Sequence, residues 1–132
     1  MDPRSRTSSA QSAQRLQERL ITFAAAVGAH LRQISPDIAT TPVLEQLARA
    51  SASPAANYAE ACAAQSRRHF IHKMHICLGE LRETRALLIM LGRLEPQGPG
   101  LPVAECDELI AIFVTSIKTA RRGLDPRRPH KK

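Results

Sequence analysis

An all-α fold, an antiparallel up-down-up-down four-helix bundle, is predicted by three features of this sequence. Its 132 residues are 43% hydrophobic and 23% charged, with aromatics at only 3%, and the abundance of Ala and Leu over Val, Tyr and Trp favours helix over strand. Apolar residues recur at three- and four-residue steps in four separate stretches. Short breaks rich in Pro, Gly or Ser divide those stretches, as expected of neighbouring antiparallel helices. A chain of this length is one domain and can bury roughly two-thirds of its unfolded surface in a single core.

The organisation expected is a disordered N-terminus over residues 1–11, a bundle over 12–122 and a flexible basic tail over 123–132. Helix 1 is marked by Ala13, Leu16, Leu20, Phe23, Ala24, Val27, Leu31 and Ile34, which share one helical face. Ser35-Pro36-Asp37 ends it, because the residue before proline is pushed out of the α region. Helix 2 is expected to start with Thr41 as N-cap and Pro42 at the first helical position, where a missing N–H costs nothing. Pro54 lies inside it, removes one backbone hydrogen bond at the carbonyl of Ala50, and predicts a kink with the helix resuming through Ala64.

Gln65-Ser66 is the next turn, with Ser66 capping a helix 3 that runs to about Leu94. Phe70, Ile71, Met74, Cys77, Leu78, Leu81 and Leu88 fall in one arc and form its core face. Ile76 and Leu87 lie on another side, among His72, Glu80 and Glu83, and this mixed face predicts contact between subunits. Glu95–Pro102, EPQGPGLP, is a linker. Helix 4 starts near Val103, carries Cys106, Leu109, Ile110, Phe113, Ile117 and Ala120 as its stripe, and stops at Gly123.

Several function classes find no support. No apolar run reaches a membrane span, and no apolar segment follows the N-terminal cations as a secretory signal would require, so a cytoplasmic protein is expected. The three cysteines, Cys62, Cys77 and Cys106, have no CxxC spacing and fit as reduced core thiols. His69, His72 and His75 diverge around the helix in steps of about 60°, with no fourth ligand evident, so they are expected at a surface or interface and no metal or other cofactor is predicted. Glu80 and Glu83, interleaved with Arg82 and Arg85, are expected to be salt-bridged rather than catalytic. Without GxSxG, Walker A, HExxH or GxGxxG motifs, no enzyme is indicated.

Charge points to a partner. The formal net charge is +7, and residues 118–132 hold seven Lys and Arg against one acid, so nearly all the excess lies there. Arg121, Arg122, Arg127, Arg128, Lys131 and Lys132 are candidate phosphate contacts, since cations that displace counterions from a phosphate backbone gain affinity. A solubilising tail is the alternative. A second locus comprises Arg67, Arg68, Lys73 and Arg82, in which Arg68, His75 and Arg82 share one line at seven-residue steps. The four aromatics, Phe23, Tyr58, Phe70 and Phe113, all fit core positions, so nucleic acid would be bound through backbone and shape with little base readout.

The run from Gln46 to Thr84, QLARASASPAANYAEACAAQSRRHFIHKMHICLGELRET, resembles the four-helix-bundle family found in intervening sequences of bacterial 23S rRNA genes. The similarity is carried by Gln46, Leu47, Arg49, Ser53, Asn57, Tyr58, Glu60, Ser66, Arg67, Arg68, Phe70, Lys73, Glu80, Leu81, Glu83 and Thr84. The resemblance implies a ring-forming bundle, typically a homopentamer, without catalytic residues. It also implies kinship with the accessory variability proteins of diversity-generating retroelements, whose partners are a reverse transcriptase and its template RNA. Two departures stand out: RALLIML replaces the aromatic pair common after the E-T close, and Pro54 comes about a residue early.

Pro54, Asn57, Tyr58 and Glu60 are assigned structural roles, with Asn57 expected to bond carbonyls freed by Pro54 and Glu60 to pair with Arg67 or another helix 3 cation. Together these features predict a non-enzymatic, oligomeric RNA- or DNA-binding scaffold, RNA before DNA. The alternative is a module that binds a polypeptide partner without nucleic acid.

Overall fold

The structure, a computed structural model, describes residues 3–127, with side chains from Ser8 onward. Helices α1 (Pro3–Leu31), α2 (Thr40–Cys62), α3 (Arg67–Leu94) and α4 (Val103–Arg122) make up the fold, with no strand among the described residues. Each helix packs antiparallel to the next in chain order, α2 against α3 most extensively, whereas α1 and α4 barely touch. The bundle is therefore closed on three seams and open on the fourth. None of the four helices is long and apolar enough to cross a membrane.

The core follows the predicted stripes. Leu20, Phe23 and Val27 of α1 meet Leu47 and Tyr58 of α2, Met74, Leu81, Leu88 and Leu91 of α3, and Leu109, Phe113 and Ile117 of α4, all buried. At its centre the rings of Tyr58 and Phe113 pack edge to face, centroids 5.7 Å apart at 77°. Phe70 departs from expectation. It is only half-buried, packed on the core by one side and open to the surface on the other.

Two helix starts correct the sequence reading. Helix α1 begins at Pro3, so residues 3–11, expected to be disordered, are helical. Pro is pre-organised for the first helical position, and the following Arg, Ser, Ala and Gln contain no helix breaker. The cap of α2 is Asp37 rather than Thr41. Asp37 Oδ1 accepts from the backbone N–H groups of Ala39 and Thr40 at 2.9 and 2.8 Å, and Thr40 Oγ1 accepts from the N–H of Asp37 at 2.9 Å. This reciprocal arrangement satisfies three donors at once. These bonds stabilise the carboxylate and hold Asp37 below its ordinary pKa.

Helix α2 passes through Pro54 without a break. Asn57 does not reach the carbonyl of Ala50, as expected of it. Its Nδ2 instead donates to Ser53 O at 3.1 Å and Ser53 Oγ at 2.9 Å, one turn back on its own helix. Neighbouring helices brace the same turn. Gln17 Nε2 on α1 donates to Ala55 O at 2.9 Å, and the Cys77 thiol on α3 donates to Pro54 O at 3.6 Å. Replacing Asn57 with Ala is expected to cost about 1 kcal/mol of stability, because a side-chain bond is lost while both Ser53 acceptors stay partly shielded. Chemical denaturation of the two proteins checks this.

The cysteines divide. Cys77 and Cys106 are fully buried, and Cys106 donates its thiol to Leu81 O at 3.3 Å. Burial pushes the thiols up, Cys77 to about 12 and Cys106 to about 11, because a thiolate there would lose its hydration. Cys62, expected in the core, is exposed at the end of α2. Thiol titration of the native protein at pH 8 should therefore count one fast-reacting cysteine, rising to all three on unfolding.

Candidate nucleic-acid interface

The charges of α3 are sorted by side. Towards α2, Lys73 Nζ pairs with Glu60 Oε2 at 2.9 Å, and Glu83 Oε1 accepts from Gln46 Nε2 at 2.7 Å. Glu80 is half-buried beside Glu83, and its carboxyl is raised, first by burial and then by the Glu83 charge. Towards α4, His75 Nε2 lies 2.8 Å from Arg121 Nη2, and Arg85 pairs with Asp107. The expected salt bridges within α3 are thus replaced by contacts to the flanking helices. Acids and free cations end on different flanks.

Antiparallel packing then joins the two cationic loci. The start of α3 and the end of α4 occupy the same end of the bundle. Arg67 lies so close over Gly123 that a Cβ built there would be 2.9 Å from the guanidinium carbon. Gly123 has φ −66°, so it leaves room for Arg67 and is not held in a left-handed turn. A cation over the carbonyl end of α4 complements its dipole and offsets the unfavourable position of Arg67 at the start of α3. Arg121 reaches across the seam to His75, and since a guanidinium can only donate, Nε2 is the acceptor.

Arg68, His75 and Arg82 are all exposed and follow the same flank at about 10.5 Å intervals, given the rise of an α-helix. On α4, Lys118 lies one turn before Arg121 and Arg122 follows it, both exposed. Arg67, Arg68, Arg82, Lys118 and Arg122 make no ion pair with a carboxylate among the described residues. The α3/α4 seam is therefore a cationic strip from Arg67 to Arg82, and beyond it Arg85 is matched by Asp107.

The predicted contacts fare unequally. Arg67, Arg68, Arg82, Arg121 and Arg122 come together on this strip. Lys73 faces α2 and is matched by Glu60, while Arg127 folds onto Asp125, with bonds of 2.9, 3.1 and 3.0 Å. Arg128, Lys131 and Lys132 lie outside the described residues. Lys118 escaped the residue-level reading, although its i, i+3 relation to Arg121 is visible in the sequence. His72 and Glu83 of the mixed face are exposed, whereas Ile76, Glu80 and Leu87 are half-buried and Leu87 packs on the core. Among the described residues no cluster of His, Cys, Asp or Glu is arranged to hold a metal ion.

The open seam between α1 and α4 is a second feature. Arg19 closes its far part: Nε and Nη2 grip Glu105 at 2.8 and 2.7 Å, and Nη2 also meets Glu108 at 2.6 Å. The Arg19 hydrogen bonds hold the Glu105 carboxyl below its ordinary range. Beyond this clasp the helices part into a groove of about 1120 Å³, walled by Ser9, Ser12 and Arg15 on α1 and by Ser116 and Thr119 on α4. Tyr58, Ala61, Cys62 and Phe70 form its floor. Phe70 also lines a shallow hollow with Arg67, which connects the groove to the cationic end.

Comparison with known proteins agrees with this architecture. The family model described as 23S rRNA-intervening sequence protein matches residues 13–96. A crystal structure of a protein of unknown function from the S23 ribosomal protein family, from Bacteroides thetaiotaomicron VPI-5482, superposes with a TM-score of 0.69. It shares 25% sequence identity, and the match covers 80% of this chain and 97% of that one. No curated protein matches the chain.

Proposed function

Because this chain belongs to the 23S rRNA-intervening sequence protein family, and because its α3/α4 seam is cationic from Arg67 to Arg82, we propose that it is a non-enzymatic scaffold that binds structured RNA. The observation that carries this function is the strip of Arg67, Arg68, Arg82, Lys118 and Arg122, drawn from two helices and without carboxylate partners among the described residues. Like charges gathered on one flank repel one another, and a polyanion relieves that repulsion. The exposed start of α3 adds the positive end of a helix dipole at the same place. Phosphate contacts set affinity and orientation, so the preference is for nucleic-acid shape and charge.

Self-association belongs to the same proposal. The mixed face of His72, Ile76, Glu80, Glu83 and Leu87 continues into the exposed side chains of Met90 and Leu94, an apolar patch of the kind that subunit contacts cover. A homopentamer, the state the resemblance implies, would repeat the strip and multiply its field. A retroelement reverse transcriptase is the enzyme such an accessory scaffold would serve.

Binding of the purified protein to a structured RNA and to duplex DNA at two salt concentrations tests this function, with mass followed by light scattering. Salt-sensitive binding by an oligomer, weakened further when residues 123–132 are removed, is the expected result. Absence of binding at low salt by a well-formed oligomer would refute it and favour a polypeptide partner.

A further inference from the structure

The groove between α1 and α4 is too large to be a packing defect, and its lining is mixed, with Leu16, Phe70 and Ile112 beside hydroxyls and arginines. At about 1120 Å³ it lies just above the usual range of ligand-site volumes, roughly 300–1,000 Å³. Its walls present the hydroxyls of Ser9, Ser12, Ser116 and Thr119, groups that both donate and accept hydrogen bonds. Its floor presents Phe70, whose ring is seated on the core yet partly open. Cations flank it: Arg15 on the α1 wall, and Arg67 beyond Phe70 in the adjoining hollow.

A rigid aromatic surface, hydroxyl walls and cations at the mouth suit an unpaired nucleobase whose strand continues over a phosphate-binding surface. A docked amphipathic helix would use Leu16, Phe70 and Ile112 but leave the wall hydroxyls and the flanking cations without a matching partner. Resting on the RNA-binding function proposed above, we propose that the α1/α4 groove admits an unpaired base of the bound RNA, stacked on Phe70, while Arg67 and its neighbours hold the adjacent phosphates. Aromatic stacking is then available at one place where the sequence pattern assigned all four aromatics to the core.

The test compares a blunt RNA hairpin with the same hairpin carrying a short single-stranded overhang that contains 2-aminopurine. The overhang should tighten binding by about tenfold, given the usual worth of one stacked base, and should change the 2-aminopurine fluorescence. Phe70→Leu should abolish both gains while leaving binding of the blunt hairpin unchanged. If that variant folds poorly, Ser116→Leu, which narrows the groove from a wall position, should have the same effect. Cys62, exposed on the groove floor, supplies an independent signal: the overhang RNA should slow its alkylation and the blunt hairpin should not.

An overhang that adds no affinity to an otherwise salt-sensitive hairpin complex would overturn the base site and leave the phosphate strip standing. So would an overhang gain that survives both substitutions. Failure of both RNAs to bind would overturn the base site together with the function it rests on.

Discussion

Replacing Arg68, Arg82, Lys118 and Arg122 together with glutamine should weaken binding to structured RNA roughly a hundredfold at low salt and reduce the log–log salt slope by about 3 to 4. These four side chains are exposed, and none makes an ion pair among the described residues. Their loss should therefore change the field and leave the bundle intact. Thermal melting should be nearly unchanged, or slightly raised by relief of like-charge repulsion. The same treatment of Arg32 and Arg49, which belong to the α1–α2 loop and to α2, should leave the slope close to its original value. Equal effects from the two sets would mean that net charge, rather than the α3/α4 seam, sets binding.

Phe113→Ala should be the most destabilising single change, at about 3–5 kcal/mol, because it empties the middle of the core. Phe113 is fully buried on α4 and supports the ring of Tyr58 on α2 from across the bundle. The surrounding residues come from four different helices and cannot all move inward to fill the space. The melting temperature should fall by on the order of 10 °C for a chain of this size, measured at fixed protein concentration because self-association would itself raise apparent stability. Phe70→Ala should cost clearly less, since Phe70 is only partly buried and lines the groove. Similar losses at the two positions would contradict the burial pattern.

The fold was legible because burial follows periodicity. Leu20, Phe23 and Val27, or Leu109, Phe113 and Ile117, can be placed inside from spacing alone, and Ser66 announces the start of α3, where its Oγ accepts from the His69 N–H at 3.1 Å. The start of α2 was less legible. Thr41-Pro42 has the right residues, but Asp37 lies three residues before Thr40 and can satisfy the loop and the helix together. The choice between the two depends on how the chain leaves α1, which local spacing does not show.

The candidate interface was legible in its residues and hidden in its arrangement. Charge runs identify Arg67, Arg68, Arg121 and Arg122, but only tertiary packing reveals that the start of α3 meets the end of α4. Glu80 and Glu83 appear in sequence to neutralise Arg82 and Arg85, yet Glu83 turns to Gln46 and Arg85 to Asp107. The groove had no sequence signal at all. It arises because α1 and α4 diverge beyond the Arg19 clasp, which is a property of helix packing rather than of any single stretch.

Mapping RNA cross-links tests the cationic strip most directly. Structured RNA substituted with 4-thiouridine would be irradiated in complex with the full-length protein, and the attached peptides identified. Cross-links should concentrate on residues 66–82 of α3 and 114–127 of α4, and decline as salt rises. Cross-links spread over the α2 flank beside Glu60, Glu80 and Glu83, or confined to the Arg32 and Arg93 end, would contradict the assignment of the interface to the α3/α4 seam.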